Sequence, residues 1–389
     1  MMSDRPLYID MQDRYARLRL ISWWDQERLA QARVMVVGAG ALGNEVLKNL
    51  ALVGIGYIYL IDYDTIEASN LTRAVLYREA HSGRSKAEVA AAAVRDLNPD
   101  CRVFAVHGNV MTDVGLGVFA DCDVVIGCLD NRAARLWVNR CCWKVGTPWV
   151  DGGIQEISGV VKVFIPPDSA CYECAMTEND YRMINLKYAC PLLTRDDVIE
   201  GKVPTAPTIA SIIAGLQTQE ALKIIHDLPV QAGQAMVFNG VANNFYTTRY
   251  PKREDCLSHE FYPEPIALDL SAEEHSVADL FDAVTGHIDG DVSLRLDRDL
   301  LVSLYCPKCD SSREVLRPLT SVGMREGKCP TCGEMSQPQT THIIAPDSPL
   351  AQQPLSRVGV PLYDIVRMVN ERETKCFKLA KDKAKVLGV

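Results

Sequence analysis

The sequence predicts an α/β protein: a doubly wound, mainly parallel sheet with an antiparallel extension, followed by a smaller cysteine-rich α+β domain. Three observations lead there. Short apolar, β-branched runs alternate with apolar-periodic helical stretches between residues 33 and 150, the pattern of βαβ units and hence of parallel strands. After Gly153 the alternation stops, and a run from Val160 to Ile165 with polar or small interruptions succeeds it, as expected of an antiparallel extension. From about Tyr262, in FYPEPIALDL, proline punctuation opens a new set of short elements. The 389 residues allow two or three domains at about 100 to 200 residues each, and the boundaries read as 1–262 and 263–389.

RVMVVG at 33–38 is a strand, GAGALG a glycine turn, and Asn44 to Val53 a helix; a second strand from Tyr57 to Ile61 ends in Asp62. A helix from Lys86 to Leu97 is stopped by Asn98-Pro99, since proline disfavours helix in the residue before it. Strands at 102–106 and 124–128, a helix at 132–144 and a strand at 148–150 complete the βαβ series. Residues 177–206 show little periodicity and read as an irregular segment ending in VPTAPT, which introduces a helix from Ile209 to His226. The last nineteen residues contain five lysines and read as a solvated helix.

Composition narrows the function classes. No stretch approaches the roughly 20 apolar residues of a membrane-spanning helix, and the amino terminus mixes acids and bases without a secretory apolar run. A net charge of -9 argues against a broad nucleic-acid surface. Six of the fourteen cysteines fall in C-x-x-C pairs at 171/174, 306/309 and 329/332, a metal-binding pattern in a reducing compartment. The expectation is a cytoplasmic protein that takes neither nucleic acid nor membrane as partner.

The glycine turn, with Gly38, Gly40 and Gly43, fits any dinucleotide-type fold. Three segments downstream of it are more specific: DYDTIEASNLTR from Asp62 to Arg73, GRSKAE with Lys86, and CLDN with Asp130. Two cations and a further acid beside a nucleotide suit nucleotidyl transfer, where charge on a leaving pyrophosphate must be neutralised. Hydride transfer needs none of them. No histidine falls in a recognisable catalytic motif.

With DRYARLRL, VVGAGALGNE, LIDYDTIEASNLTR, GRSKAE, CLDN and IASIIAGLQTQEALKII together, the chain resembles the ThiF/MoeB and ubiquitin-activating-enzyme superfamily over roughly residues 10 to 260. The resemblance implies a Rossmann-like adenylation domain that uses ATP and Mg²⁺. It implies that Asp62 binds the ribose, that Asn70, Arg73 and Lys86 contact phosphates, and that Asp130 holds Mg²⁺ beside Asn131, with Asp64 and Ala41 also at the nucleotide. Ala41 stands where the family often has glycine and slightly crowds the phosphate approach. Arg14 matches an arginine that reaches into a partner protomer's site, which implies a homodimer. Cys190, in KYACPLLTRDD, lies in the segment that carries a reactive cysteine in such enzymes; its alternative is an apolar filler. Cys128, Cys141 and Cys142 read as packing residues.

The resemblance also implies that Cys171 and Cys174 share a structural Zn²⁺ with Cys256 and His259, the histidine standing where a cysteine is common. The second Zn²⁺ site comes from spacing alone: Cys306-x₂-Cys309-x₁₉-Cys329-x₂-Cys332 is a zinc-ribbon arrangement. It serves either as a staple for a thin core or as a recognition surface, in a C-terminal domain whose flanking segments resemble a ubiquitin-like fold. The leading expectation is adenylation of the C-terminal glycine of a ubiquitin-like protein, thioester formation on Cys190 and transfer to a conjugating enzyme. The alternative is a sulfur-carrier-protein adenylyltransferase without a thioester. A silent scaffold would be expected to lose part of the Arg73, Lys86, Asp130 and Cys190 set, and an NAD-dependent oxidoreductase leaves Arg73, Lys86, Asp130 and the zinc pattern unexplained.

Overall fold

A computed structural model describes residues 12–188 and 204–388. A short helix α1 (Gln26–Gln31) leads into β1 (Arg33–Val37), α2 (Ala41–Val53), β2 (Tyr57–Asp62), α3 (Lys86–Leu97), β3 (Arg102–His107), α4 (Leu116–Ala120), β4 (Val124–Gly127), α5 (Arg132–Val145) and β5 (Trp149–Gln155). Next come β6 (Ser158–Phe164), α6 (Glu178–Tyr188), α7 (Pro207–Ile225), β7 (Gln234–Asn239) and β8 (Asn244–Arg249). These eight strands form one sheet in the order β3-β2-β1-β4-β5-β6-β7-β8, parallel from β3 to β5 and antiparallel from β5 to β8. The fold is therefore the doubly wound sheet with an antiparallel extension that the alternation of elements implies.

The inner parallel strands β1 and β4 are apolar along nearly their whole length because both of their faces are covered. Val34 and Val36 of β1 face a core that includes Leu47 of α2, Val94 of α3 and Ile213 of α7. Met35 and Val37 point the opposite way, into a core with Phe119 of α4 and Val138 of α5. Gly54 and Gly146 end α2 and α5 in the left-handed conformation, and the Ser85 side chain caps α3 by accepting from the Glu88 amide. Helix α7 is apolar on most sides and packs on both α2 and the sheet. No helix among the described residues is long and apolar enough to cross a membrane.

A second sheet is built from β9 (Ile266–Leu268), β10 (Ser293–Cys306), β11 (Ser311–Pro318), β12 (Gln337–Ile344), β13 (Ile365–Val369) and β14 (Thr374–Leu379), with helices α8 (Val277–Val284), α9 (Met324–Gly327) and α10 (Lys383–Leu387). Its order is β11-β10-β13-β14-β9, with β12 paired to β10. Tyr363, Ile365, Cys376 and Leu387 of this unit complete the second core of the large sheet, while Leu294, Phe377 and Leu379 belong to the unit's own core.

Two sequence expectations are corrected. The last nineteen residues are not a solvated helix: they hold β14, whose Cys376, Phe377 and Leu379 are buried, and the short α10 with buried Leu387. The five lysines masked a strand, because long cationic side chains leave a buried backbone while their ammonium groups stay in water. Residues 177–206 are not irregular throughout, since α6 occupies Glu178–Tyr188. Thr177 and Asp180 cap it reciprocally, the Asp180 carboxylate accepting from the Thr177 amide at 2.9 Å and the Asp180 amide donating to the Thr177 hydroxyl.

The two units are joined by a charged knot. Register shifts in β10 between Arg295 and Leu300 push Asp297 and Arg298 toward the large sheet, as bulges re-aim side chains. Asp297 lies 2.8 Å from Lys144 and 2.7 Å from Arg367 and accepts from the Tyr262 hydroxyl at 2.8 Å. Burial opposes its ionisation, but Lys144 and Arg367 outweigh that and hold the carboxyl below its ordinary value. Removing Asp297 leaves the largely buried Arg367 and Lys144 with only the more exposed Glu260, at 2.7 and 3.9 Å. Asp297→Ala is expected to lower stability by roughly 3–5 kcal/mol, read as a lower urea midpoint. Because the folded carboxyl titrates below 3.8, the difference from wild type should be full above that pH and shrink as pH falls further.

Candidate functional site

The turn between β1 and α2 is held open by packing and by buried polar groups. Gly38 has φ +100°, and a Cβ there would meet the Cys128 carbonyl oxygen at 2.5 Å. A Cβ on Gly43 would meet the Gly38 carbonyl oxygen at 2.0 Å, so both glycines are required by close backbone approach. Gly40 differs: a Cβ there would meet nothing within 4 Å. The outer side of the turn is thus open at the N-terminus of α2, where backbone amides favour an anion. Ala41 comes next, as the first residue of α2, and is half-buried.

Asp62, at the end of β2, anchors the turn from beneath. Its Oδ2 accepts from the Ala39 amide at 2.7 Å and its Oδ1 from the Asp64 amide at 2.8 Å. Burial pushes the carboxyl above its ordinary value, against the pull of Lys86 and these amides. Two residues missed in sequence reasoning share the task. Asn44, fully buried, donates to the Ala39 and Gly40 carbonyls at 2.7 and 3.0 Å and accepts from the Leu76 amide; the Tyr77 hydroxyl donates to the Ala39 carbonyl at 2.6 Å. A polar residue on the apolar face of α2 was the available signal for Asn44.

Lys86 opens α3, where the helix N-terminus disfavours a cation. The compensating anion is Asp64, whose Oδ2 lies 2.8 Å from Lys86 Nζ. The Arg73 Nη1 donates to the Ser69 carbonyl at 2.9 Å, and Asn70 Oδ1 accepts from the Glu67 amide at 3.0 Å. In the loop after β4, Asp130 is exposed, and Asn131 caps α5 by accepting from the Ala134 amide at 2.8 Å. The glycine turn, Asp62, Asp64 and Lys86 are thus in direct mutual contact. Asp130 and Asn131 sit beyond adjacent β4, past the carboxyl ends of the strands where ligands bind in such sheets.

Arg14 stands apart. Its Nη2 donates to the Leu97 carbonyl at 3.4 Å, at the opposite end of α3 from Lys86. Across twelve residues of helix that is about 17 Å, so within one chain Arg14 is not at this site. Cys190 lies outside the described residues. Cys141 and Cys142 are buried in the core of the large sheet, and half-buried Cys128 contacts Gln217.

Two clusters could hold metal. Ligand atoms of Cys171, Cys174, Cys256 and His259 lie within 4.8 Å of one another, as do those of Cys306, Cys309, Cys329 and Cys332. In the first, sulfur–sulfur distances are 3.7 and 3.5 Å and Cys174 Sγ is 3.4 Å from His259 Nε2; in the second they are 3.6 and 3.9 Å. A tetrahedron with metal–sulfur bonds of about 2.3 Å has edges of about 3.8 Å, so both donor sets fit Zn²⁺. Between the first pair, buried Glu173 accepts from Arg140 and from the Tyr181 hydroxyl at 2.8 Å and from Ser258, which ties α5 and α6 to the cluster. The His259 ring stacks on Trp143 at 4.3 Å. Elemental analysis of the purified chain is expected to find two zinc ions per chain and only one after Cys256→Ser, with the second cluster still loaded.

The model of the ThiF family matches residues 12–258. The chain is 33% identical over 248 residues to a SAMP-activating enzyme E1 of Haloferax volcanii, covering 63% of this chain and 87% of that one. It is 38% identical over 155 residues to SUMO-activating enzyme subunit uba-2 of Caenorhabditis elegans, covering 39% of this chain and 27% of the relative. It is 34% identical over 234 residues to the adenylyltransferase and sulfurtransferase MOCS3 of Mus musculus, covering 60% and 48%. The chain thus spans about a quarter to a half of the length of these last two relatives. Among solved structures, Escherichia coli MccB with ATP is similar at a TM-score of 0.54 and 25% identity, over 66% of this chain and 76% of that one. With the family model spanning most of the chain, this protein belongs to the ThiF family.

Proposed function

We propose that the chain is an E1-like activating enzyme that adenylates the C-terminal glycine of a ubiquitin-like protein, carries it as a thioester on Cys190 and passes it to a conjugating enzyme. The observation that carries the reading is the contact set around the glycine turn: an open cradle at Gly40, with Asp62 beneath it and the Asp64–Lys86 pair at its side. Likeness to a SAMP-activating enzyme E1 over 87% of that relative's length supports the same class.

In this reading the substrate carboxylate attacks the α-phosphorus of ATP, a P–O bond forms, and the bond to pyrophosphate breaks. Lys86 and Arg73 neutralise charge on the phosphates, Asn70 orients them, and Asp62 holds the ribose. Asp130, with Asn131 beside it, would hold Mg²⁺, which supplies further charge neutralisation on phosphate oxygens. The Cys190 thiolate then attacks the acyl carbon, a C–S bond forms, and AMP leaves with the electron pair of the broken C–O bond. Arg14, at the far end of α3 from its own Lys86, would serve the site of a second copy, so the active form would be a homodimer. Both zinc sites would be structural, and work in the cytoplasm would keep their thiolates reduced.

The MOCS3 likeness keeps sulfur-carrier adenylation as a second reading, with the same ATP site and no thioester. One experiment separates them. With Mg·ATP and a carrier ending in Gly-Gly, wild type is expected to catalyse pyrophosphate exchange and form a reductant-sensitive conjugate, while Cys190→Ala keeps exchange and loses the conjugate. Exchange without conjugate in wild type would support the sulfur-carrier reading, and no exchange would sink both. Lys86→Ala should cost roughly a hundredfold in exchange rate, about 3 kcal/mol. Gly40→Ala should melt like wild type yet bind ATP more weakly, measured by calorimetry, because its methyl group meets nothing in the protein and would crowd only the nucleotide.

A further inference from the structure

Asp151, on β5, exposes none of its surface, and neither carboxylate oxygen has a hydrogen-bond partner in the described protein. It lies between two cations: Arg135 Nε is 3.2 Å from Oδ1 and Lys162 Nζ is 3.5 Å from Oδ2. Burying such ions costs several kcal/mol each, and well-packed apolar residues would often do as well for stability alone. What this arrangement achieves is visible at the other end of the guanidinium. Arg135 Nη2 donates to the Leu129 carbonyl at 2.6 Å and to the Gly152 carbonyl at 2.8 Å.

Leu129 immediately precedes Asp130. On the opposite face of the sheet, Gln217 of α7 donates to the Gly127 carbonyl at 2.9 Å and the Val150 carbonyl at 3.2 Å. Asn131, on the other side of Asp130, is fixed as the cap of α5. The backbone is therefore clamped before and after Asp130, and on its amino-terminal side the clamp is a planar, charge-anchored fork that a lysine cannot reproduce.

We propose that Arg135, held by Asp151, is a positioning residue that sets the Leu129–Asp130 peptide where the Asp130 carboxylate can meet a nucleotide-bound Mg²⁺. This rests on the adenylation reading, from which the role of Asp130 comes. Arg135 touches neither nucleotide nor metal in this scheme; it acts through the loop. Lys162 shares the charge of Asp151 and stacks near Tyr172, its ammonium 4.9 Å from the ring centroid, which leaves Arg135 able to turn its outer nitrogens to the carbonyls.

The test is calorimetric and needs no turnover. Affinity for a non-hydrolysable ATP analogue is measured with and without Mg²⁺ in the full chain, for wild type, Arg135→Lys, and the double variant Arg135→Gln with Asp151→Asn, which removes the Arg135–Asp151 pair at similar size and leaves Lys162, whose charge burial already disfavours. The gain in affinity that Mg²⁺ brings is expected to fall about tenfold in both variants, about 1.4 kcal/mol, while circular dichroism shows them folded and metal-free nucleotide affinity stays within about threefold. If the single variant fails to fold, the double variant decides. An undiminished gain in a folded variant, or a loss that only tracks the folded fraction, makes Arg135 a packing residue and overturns the inference. Wild type that binds the nucleotide with Mg²⁺ yet shows no pyrophosphate exchange would sink the adenylation reading and leave this comparison standing; absence of any Mg²⁺-dependent binding in wild type overturns both.

Discussion

The inner parallel strands β1 and β4 of the large sheet have no polar face, and the packing around them accommodates that constraint. Val34 and Val36 look one way and Met35 and Val37 the other, and both sides must be closed to water. On one side α2, α3 and α7 suffice. On the other, α4 is only five residues long, and α5 does not cover the ground alone. Tyr363, Ile365, Cys376 and Leu387 from the second sheet complete the cover. The second unit is thus part of the core of the first.

The glycine turn shows how the same sheet supports chemistry. Its carbonyls and amides would be costly to bury unsatisfied, yet its outer side is open at Gly40. The structure resolves this by satisfying the inner side with Asp62, Asn44 and Tyr77 and leaving Gly40 bare on the outer side. Lys86 obeys the same logic: Asp64 neutralises it in place at the head of α3, so a phosphate arriving there would compete with a carboxylate already present.

How much of this could be read in the chain depends on how local the signal is. The strands β1, β2 and β4 and the helix α3 show as apolar runs and a capped helix, and the second cysteine cluster shows as spacing, because each is written within a few dozen residues. The strand β14 does not, since lysines at 375 and 378 hide a strand buried on both faces, Cys376 against the large sheet and Phe377 and Leu379 in the second unit's core. The helix α6 was missed because its signal is a capping box at Thr177 and Asp180 rather than an apolar stripe. Asp62 and Lys86 stood out by motif, whereas Asp64 as the partner of Lys86, and Arg135 with Asp151, exist only through the approach of separate elements. The charged knot around Asp297 is likewise invisible until a bulge in β10 carries it to Lys144.

Helix α5 has a consequence beyond packing. It begins at the cap beside Asp130 and ends with Lys144 in the grip of Asp297. Its fourteen residues span about 21 Å, and along the way it receives Arg140–Glu173 and Trp143–His259 from the first cysteine cluster. Helix α5 thus ties the Asp130 loop, the first cysteine cluster and the second unit to one rod.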